Sequence, residues 1–340
     1  MANYKKVKVG VIGAAGFTGE KLVELLLCHP QVEVSYLSSM LDKDTAFSTL
    51  FPRFKGRLEL VCKNLDINEA SQKADVIFLA LPHRISLDIA PKFLKKKKIV
   101  IDLSADYRLK DVSLYEKFYK NKHSDLGNLK KAVYGLPEFY RKSIKKAKLI
   151  ANPGCYPTAS ILSTAPLLKE GLIKDIVIDA KSGITGAGRK ASLDYHFAHL
   201  DGNLFSYKPF GHQHSPEINQ VLSDLAKKKI KIRFTPHVIP AERGILITVY
   251  AKLNKAVKAS TISNIYKKYY KSEKFVRLFN QKLPQLKDVV GTNFCDIGFE
   301  IQDKEITIVG AIDNLIKGAS GQAVQNMNII FNWDEGLGLL

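Results

Sequence analysis

The sequence predicts an α/β protein: a doubly wound parallel sheet followed by a second, α+β domain. Three observations carry that prediction. Apolar, strand-like runs alternate with helical patterns through the first hundred residues, and a glycine turn joins the first strand to the first helix. Beyond about residue 150 the strand candidates instead alternate apolar with polar residues. A chain of 340 residues has room for two domains at roughly 150 residues each. The expected divisions are 1–150, 151–312 and a C-terminal segment 313–340.

The elements follow in order. Val7–Ile12 is a β-branched strand, and Glu20–Cys28 carries Leu22, Val23, Leu25, Leu26 and Leu27 at helical spacing. Val32–Leu37 is the second strand. Asp75–Leu81 is almost continuously apolar, as a strand covered on both faces should be, and Pro82 ends it; Ile99–Leu103 is another such strand. In the second half, Ile176–Ala180, Ile230–Thr235, Ile245–Leu253 and Glu305–Ile312 read as strands of an antiparallel sheet with one covered face. Ala323–Trp333 is helical in pattern, and the chain shows neither an internal repeat nor a long linker.

Composition narrows the class. Hydrophobic residues make up 46% and charged residues 25%, which excludes a mainly disordered or low-complexity chain. No apolar run approaches the roughly 20 residues needed to span a bilayer, and a strand begins within a few residues of the N-terminus. The expected location is the cytoplasm. Cys28, Cys62, Cys155 and Cys295 form no CxxC pair and are too sparse for a disulfide framework, so reduced thiols are expected. The net charge is +19, yet only nine of the 52 basic residues are arginine. Nucleic-acid readers lean on arginine; a solvated lysine surface that concentrates anionic substrates or an acidic partner fits better. No nucleic-acid or membrane partner is expected.

Four clusters carry chemistry. The first is Gly13-Ala14-Ala15-Gly16-Phe17-Thr18-Gly19, set between strand and helix. A dinucleotide site needs glycine there for a tight turn, close approach to the pyrophosphate and close helix packing, and the helix start offers N–H groups to phosphate. The bland alternative is an ordinary turn. At the end of the second strand stand Ser38 and Ser39, with Lys43 nearby, where an NAD site usually has an acid; hydroxyls and a cation favour NADP. Glu33 falls too early to bind ribose.

The second cluster is Asn152-Pro153-Gly154-Cys155-Tyr156-Pro157-Thr158, followed by a helix-like Ala159–Leu168. A thiol at a helix N-terminus is favoured as thiolate, which suits a covalent nucleophile. Cys28, Cys62 and Cys295 read instead as buried small hydrophobes. The third is Gly211-His212-Gln213-His214-Ser215-Pro216-Glu217, a Gly/Pro-shaped loop whose imidazoles and carboxylate could supply an acid/base and its orienting group. The HxH spacing could ligate a metal, but no second ligand cluster completes a site, and no metal is expected. The fourth group is two strand-end loops, Ser182-Gly183-Ile184-Thr185-Gly186-Ala187-Gly188-Arg189 and Asp102–Arg108, whose arginines are either anion clamps or surface ion-pair partners.

These clusters occur in a fixed order with Leu81-Pro82-His83, Pro240-Ala241-Glu242-Arg243-Gly244 and Asp313-Asn314-Leu315-Ile316-Lys317-Gly318-Ala319-Ser320-Gly321-Gln322-Ala323. The set closely resembles the N-acetyl-gamma-glutamyl-phosphate reductases, relatives of aspartate-semialdehyde dehydrogenase, essentially end to end. The resemblance implies a Rossmann NADP domain, a catalytic and oligomerisation domain, and a C-terminal helix returning to the first domain. It also implies Cys155 as nucleophile, His212 and Glu217 as acid/base pair with His214 as the alternative donor, and a homodimer or homotetramer acting on an acyl phosphate. NADP contacts would come from Gly13–Gly19, Ser38, Ser39, Pro82, His83, Ser182, Gly183, Asn314, Lys317 and Gly318. Substrate contacts would come from Asn152, His214, Arg108 for phosphate, and Arg189 or Arg243 for carboxylate. Two other readings stand beside it: reduction of an aminoadipyl phosphate on a small acidic carrier protein, and a basic nucleic-acid-binding or regulatory protein. Aspartate-semialdehyde dehydrogenase itself fits His212–Glu217 and Asn152–Thr158 poorly.

Overall fold

The computed structural model describes residues 6–340. They divide into two compact units: one runs to Pro153 and resumes at Ala319–Leu340, the other is Gly154–Gly318.

The first unit holds an eight-stranded sheet. Its strands are β1 (Val7–Ile12), β2 (Val32–Ser38), β3 (Thr45–Ala46), β4 (Val61–Lys63), β5 (Val76–Leu79), β6 (Ile99–Asp102), β7 (Val133–Tyr134) and β8 (Leu149–Ala151), in spatial order β3-β4-β2-β1-β5-β6-β8-β7. All neighbours are parallel except β3 and β4. Both faces are covered, so β5 reads as an unbroken apolar run: Val76 and Phe78 enter one core, Ile77 and Leu79 the other. The first helix, Phe17–Leu27, lends Leu22, Val23 and Leu26 to the first of these cores. The C-terminal helix Gly321–Ile330 adds Ala323, Val324, Met327 and Ile329 to the same core, so the end of the chain returns to the sheet that its start built.

The strand order reverses at β1, and the glycine turn leaves the sheet there. Gly13 has φ +88, and a Cβ on it would lie 2.2 Å from the Ala80 carbonyl oxygen. A Cβ on Gly19 would come equally close to the Gly13 oxygen. Both positions therefore admit only glycine, whereas Gly16 has space around it.

The second unit holds β9 (Ile173–Ser182), β10 (Phe205–Ser206), β11 (Arg233–Val238), β12 (Ile245–Leu253), β13 (Val276–Phe279), β14 (Cys295–Gln302) and β15 (Glu305–Ile312), ordered β10-β11-β9-β12-β15-β14-β13. The sheet is mixed rather than antiparallel: β9 pairs β11 and β13 pairs β14 in parallel. The long excursion between β9 and β11, containing the helix His214–Ala226, supplies the crossover that a parallel pair requires. Pairing in β11 begins at Arg233 rather than Ile230. The Ile230 and Ile232 N–H groups donate instead to Ser223 Oγ and Asn219 Oδ1 of that helix.

The helix Cys155–Lys169 is buried around its whole circumference from Tyr156 to Leu168, as a central helix must be. The Tyr266 and Tyr270 hydroxyls donate to its Ser163 and Leu162 carbonyls, each at 2.6 Å. Gly310 of β15 lets the sheet approach, since a Cβ there would lie 2.3 Å from Ser163 Oγ.

Candidate active site

Cys155 is the first residue of its helix rather than a residue before it, and it is half-buried. Gly154 precedes it in extended conformation as the N-cap. Pro157 sits in the first turn, where a missing N–H removes no helical bond, and Thr158 Oγ1 donates to the Gly154 carbonyl at 2.9 Å. The helix therefore presents its positive end at the sulfur. The Gly154 N–H donates to Glu217 Oε1 at 2.9 Å, so a carboxylate 63 residues further along the chain holds the start of the cysteine helix. Gly318 closes the other side: a Cβ there would lie 2.8 Å from Cys155 Cβ. Next to it Lys317 is completely buried, its ammonium 5.8 Å above the Phe275 ring.

The other cysteines separate clearly from Cys155. Cys62 and Cys295 are buried, and burial pushes the Cys62 thiol up to about 11. Cys28 is exposed, against the expectation of a buried hydrophobe. It lies just past the first helix, off its apolar face, where its N–H closes the last turn on Leu25 and Leu26.

The histidine motif divides between a loop and a helix. His212 lies in the loop, while His214 to Glu217 form the first turn of the helix His214–Ala226, with Pro216 where proline is tolerated. His212 Nδ1 accepts the His214 backbone N–H at 3.1 Å. A backbone N–H can only donate, so the neutral ring carries its hydrogen on Nε2. The imidazole stands edge-on to Tyr156 at 5.5 Å and is also ringed by Tyr207, Phe234 and His214. That apolar cage, with Lys208 nearby, pushes His212 down to about 4. One Glu217 oxygen thus holds the start of the cysteine helix, and His212 Nδ1 is held by the backbone of its own motif. Residues 154–156, 212–217 and 318 converge in this unit.

The two glycine-containing loops of the second unit are bonded to each other. Gly183, Ile184 and Thr185 N–H groups donate to the Gly244, Ala241 and Glu242 carbonyls. Asn314 staples the pair, accepting Gly244 N–H at 2.8 Å and donating to Thr185 Oγ1 at 3.0 Å. Ser182 is buried and its hydroxyl donates to the Gly183 carbonyl. Arg189 is exposed at the loop's end, whereas Arg243 is half-buried with Nε 3.1 Å from Glu242 Oε1.

In the first unit, the helix beginning at Phe17 has Gly16 as its N-cap, with no side-chain cap hydrogen bond, and a helix start of this kind suits an anion. Gly13 and Ala14 N–H groups both donate to the Ser38 carbonyl. Ser38 itself is buried and Ser39 half-buried, which leaves Ser39 the more accessible hydroxyl. Pro82 is exposed. His83 Nδ1 accepts the Ala105 N–H at 3.1 Å; burial and then the Arg108 and Arg84 charges push the ring down to about 4. Arg108 is buried, with Nε on the Asn152 carbonyl at 2.7 Å and Nη2 on the Leu103 carbonyl at 2.8 Å. Asn152 is enclosed: its N–H donates to Asp102, its Nδ2 to Ala319 and its Oδ1 accepts from Asn326.

The neutral imidazoles set a pH response. His212 and His83 bind a proton near pH 6.5 when unfolded but only near 4 when folded. Between those values the unfolded chain holds more protons, so stability is present above about 6.5 and is lost as pH falls toward 4. His212→Asn is expected to lose about 2 kcal/mol less than the wild type between pH ~7 and pH ~4.5. Urea midpoints at both pH values check this; parallel slopes would contradict it.

Two family models match this chain: the semialdehyde dehydrogenase NAD binding domain over residues 8–147 and the semialdehyde dehydrogenase dimerisation domain over residues 155–314. Among curated relatives, an N-acetyl-gamma-glutamyl-phosphate reductase of Campylobacter jejuni subsp. jejuni is 48% identical, covering 98% of each chain. One from Methanocaldococcus jannaschii is 47% identical over 98% of this chain and 97% of its own. The fold is shared with the aspartate semialdehyde dehydrogenase with NADP from Candida albicans, TM-score 0.74 at 15% identity, covering 96% of this chain and 99% of the other. It is shared also with aspartate semialdehyde dehydrogenase II from Vibrio cholerae, TM-score 0.73 at 17% identity with the same coverage.

Proposed function

The chain belongs to the N-acetyl-gamma-glutamyl-phosphate reductase family, and on that footing we propose that it reduces N-acetyl-L-glutamyl 5-phosphate to the 5-semialdehyde with release of phosphate, using NADPH. The observation that carries the chemistry is Cys155 at the start of a buried helix, with Glu217 bonded to the residue before it and His212 packed on the residue after it.

The Cys155 thiolate attacks the acyl carbon, the carbon–oxygen bond to phosphate breaks, and a thioester remains on the sulfur. NADPH, when bound, supplies the hydride that reduces this thioester. His212, neutral with hydrogen on Nε2, donates to the oxyanion of the resulting thiohemiacetal. Collapse breaks the carbon–sulfur bond, frees the aldehyde and restores the thiolate; the one proton taken up overall ends on the released phosphate. Glu217 fixes the cysteine helix through Gly154 N–H. We assign the substrate carboxylate to Arg243, half-buried on the bonded loops, with Arg189 as the more exposed alternative. Arg108, fixed at the end of β6 by bonds from Nε and Nη2 to two backbone carbonyls, is the cation we assign to the departing phosphate. The Gly13–Gly19 turn and its uncapped helix suit the pyrophosphate, and Ser39 suits the 2′-phosphate of NADP.

The working form is a homodimer or homotetramer, supported by the dimerisation-domain match. No helix among the described residues is long and apolar enough to cross a membrane, and we place the enzyme in the cytoplasm. The acyl phosphate is labile, so the test runs backwards: N-acetylglutamate semialdehyde, NADP and inorganic phosphate should give NADPH only when all three are present. Reduction of NADP without phosphate would overturn the acyl-phosphate reaction.

A further inference from the structure

The turn that leaves β5 adopts a shape its own residues disfavour. Arg84 has φ +82, a conformation that costs any residue with a Cβ and persists only where its surroundings over-determine it. Asp106 supplies that determination. Its side chain is completely buried. Oδ1 accepts the Arg84 N–H and the Tyr115 hydroxyl, each at 2.8 Å, and Oδ2 accepts the Ser86 N–H at 3.1 Å. Ser86 opens the helix Ser86–Lys95, whose N-cap Ile85 offers no side-chain cap, so the carboxylate also caps that helix. The neighbouring residues reinforce the grip: Asp102 accepts Ser86 Oγ at 2.8 Å, and Ala105 N–H holds His83.

The turn stands where a ligand is expected. β5 lies beside β1, Ala80 N–H donates to the Ile12 carbonyl at 2.8 Å, and the Ala80 oxygen is the atom that forbids a side chain at Gly13. Pro82–Ser86 therefore leaves the sheet next to the glycine turn, where strand order reverses and open α/β sheets bind their ligands.

We infer that Asp106 is a positioning residue for the dinucleotide: it holds Pro82 and His83 in the bound-state shape before NADPH arrives. This rests on the reading of the first unit as the NADPH-binding one. Three donors converge on the carboxylate, and a carboxylate accepts all of them; an amide of the same shape must turn its NH2 toward one. In Asp106→Asn the turn loses that anchor and Arg84 relaxes away from positive φ.

The test measures NADPH affinity by fluorescence titration of the full chain, beside steady-state constants. Asp106→Asn should raise the Kd and KM for NADPH about tenfold, with kcat at saturating NADPH within about twofold of wild type. Adding Arg84→Gly to that variant should restore affinity, because glycine takes positive φ without cost; a defect in packing alone would not respond. Should Asp106→Asn not fold, Tyr115→Phe carries the test, with a rise of roughly threefold expected. Wild-type affinity in whichever variant is measured, or no recovery on adding Arg84→Gly, overturns the inference. A wild-type chain that binds no NADPH overturns the cofactor reading beneath it instead.

Discussion

Cys155→Ser is expected to lose steady-state turnover by roughly a thousandfold or more while NADPH affinity stays within about twofold of wild type. The helix start beneath Cys155 favours a thiolate, but the same dipole cannot ionise an alcohol at neutral pH. Without the sulfur, hydride would have to reach an acyl phosphate whose dianionic leaving group is still attached. The glycine turn assigned to the cofactor belongs to the other unit and is untouched by the substitution. Phosphate-dependent NADP reduction measures the loss, and fluorescence titration measures the retained affinity. Turnover near the wild-type value would remove the thioester from the mechanism. Alkylation gives a second check, with a known complication: Cys28 is exposed and will also react, while Cys62 and Cys295 are buried. Inactivation by iodoacetamide should therefore be unchanged in Cys28→Ser and absent from any thiol other than Cys155.

Much of this site was legible because glycine, proline, cysteine and histidine bunch at loops. The Asn152–Thr158 run shows its constraint in one dimension: Pro153, Gly154 and Pro157 leave few backbone choices. The parallel half of the fold was legible for a related reason, since β1, β5 and β6 are apolar on both faces. The short strands β3, β4, β7 and β8 were not, because two or three residues have no periodicity and are strands only through their neighbours. In the second sheet β14 is hard to read from sequence for a different reason. Its first four residues, Cys295 to Gly298, are all buried, and Asp296 is tolerated there because Arg277 bonds it at 2.6 and 2.8 Å. An alternating pattern was therefore missing where the strand begins.

Partnerships were the least legible part. Glu217 stands in sequence as a natural companion for His212, yet its carboxylate reaches back to Gly154. The cage around His212 comes from Tyr207 and Phe234, one on the long excursion and one on β11, and no local motif joins them. Asp106 read only as part of a strand-end loop. Its hold on Arg84 is visible only once β5 and β6 lie side by side.

The separation of roles between Glu217 and His212 leads to the second large effect. His212→Asn is expected to lower kcat by about a hundredfold to a thousandfold, with the KM for NADPH little changed. The cage keeps the imidazole neutral to about pH 4, so through the physiological range Nε2 is a donor and the ring carries no charge. Asparagine is shorter than histidine and has no atom where Nε2 stands, so the oxyanion loses its donor, a loss on the order of a hundredfold to a thousandfold. Glu217→Gln should behave differently: an amide keeps an acceptor for Gly154 N–H, so its loss of rate should be much smaller than that of His212→Asn. Rates for both variants, measured with saturating NADP, phosphate and semialdehyde, decide the matter. A Glu217→Gln defect as deep as that of His212→Asn would return the carboxylate to the proton pathway, and a silent His212→Asn paired with an inactive His214→Asn would transfer the donor role to the first residue of the following helix.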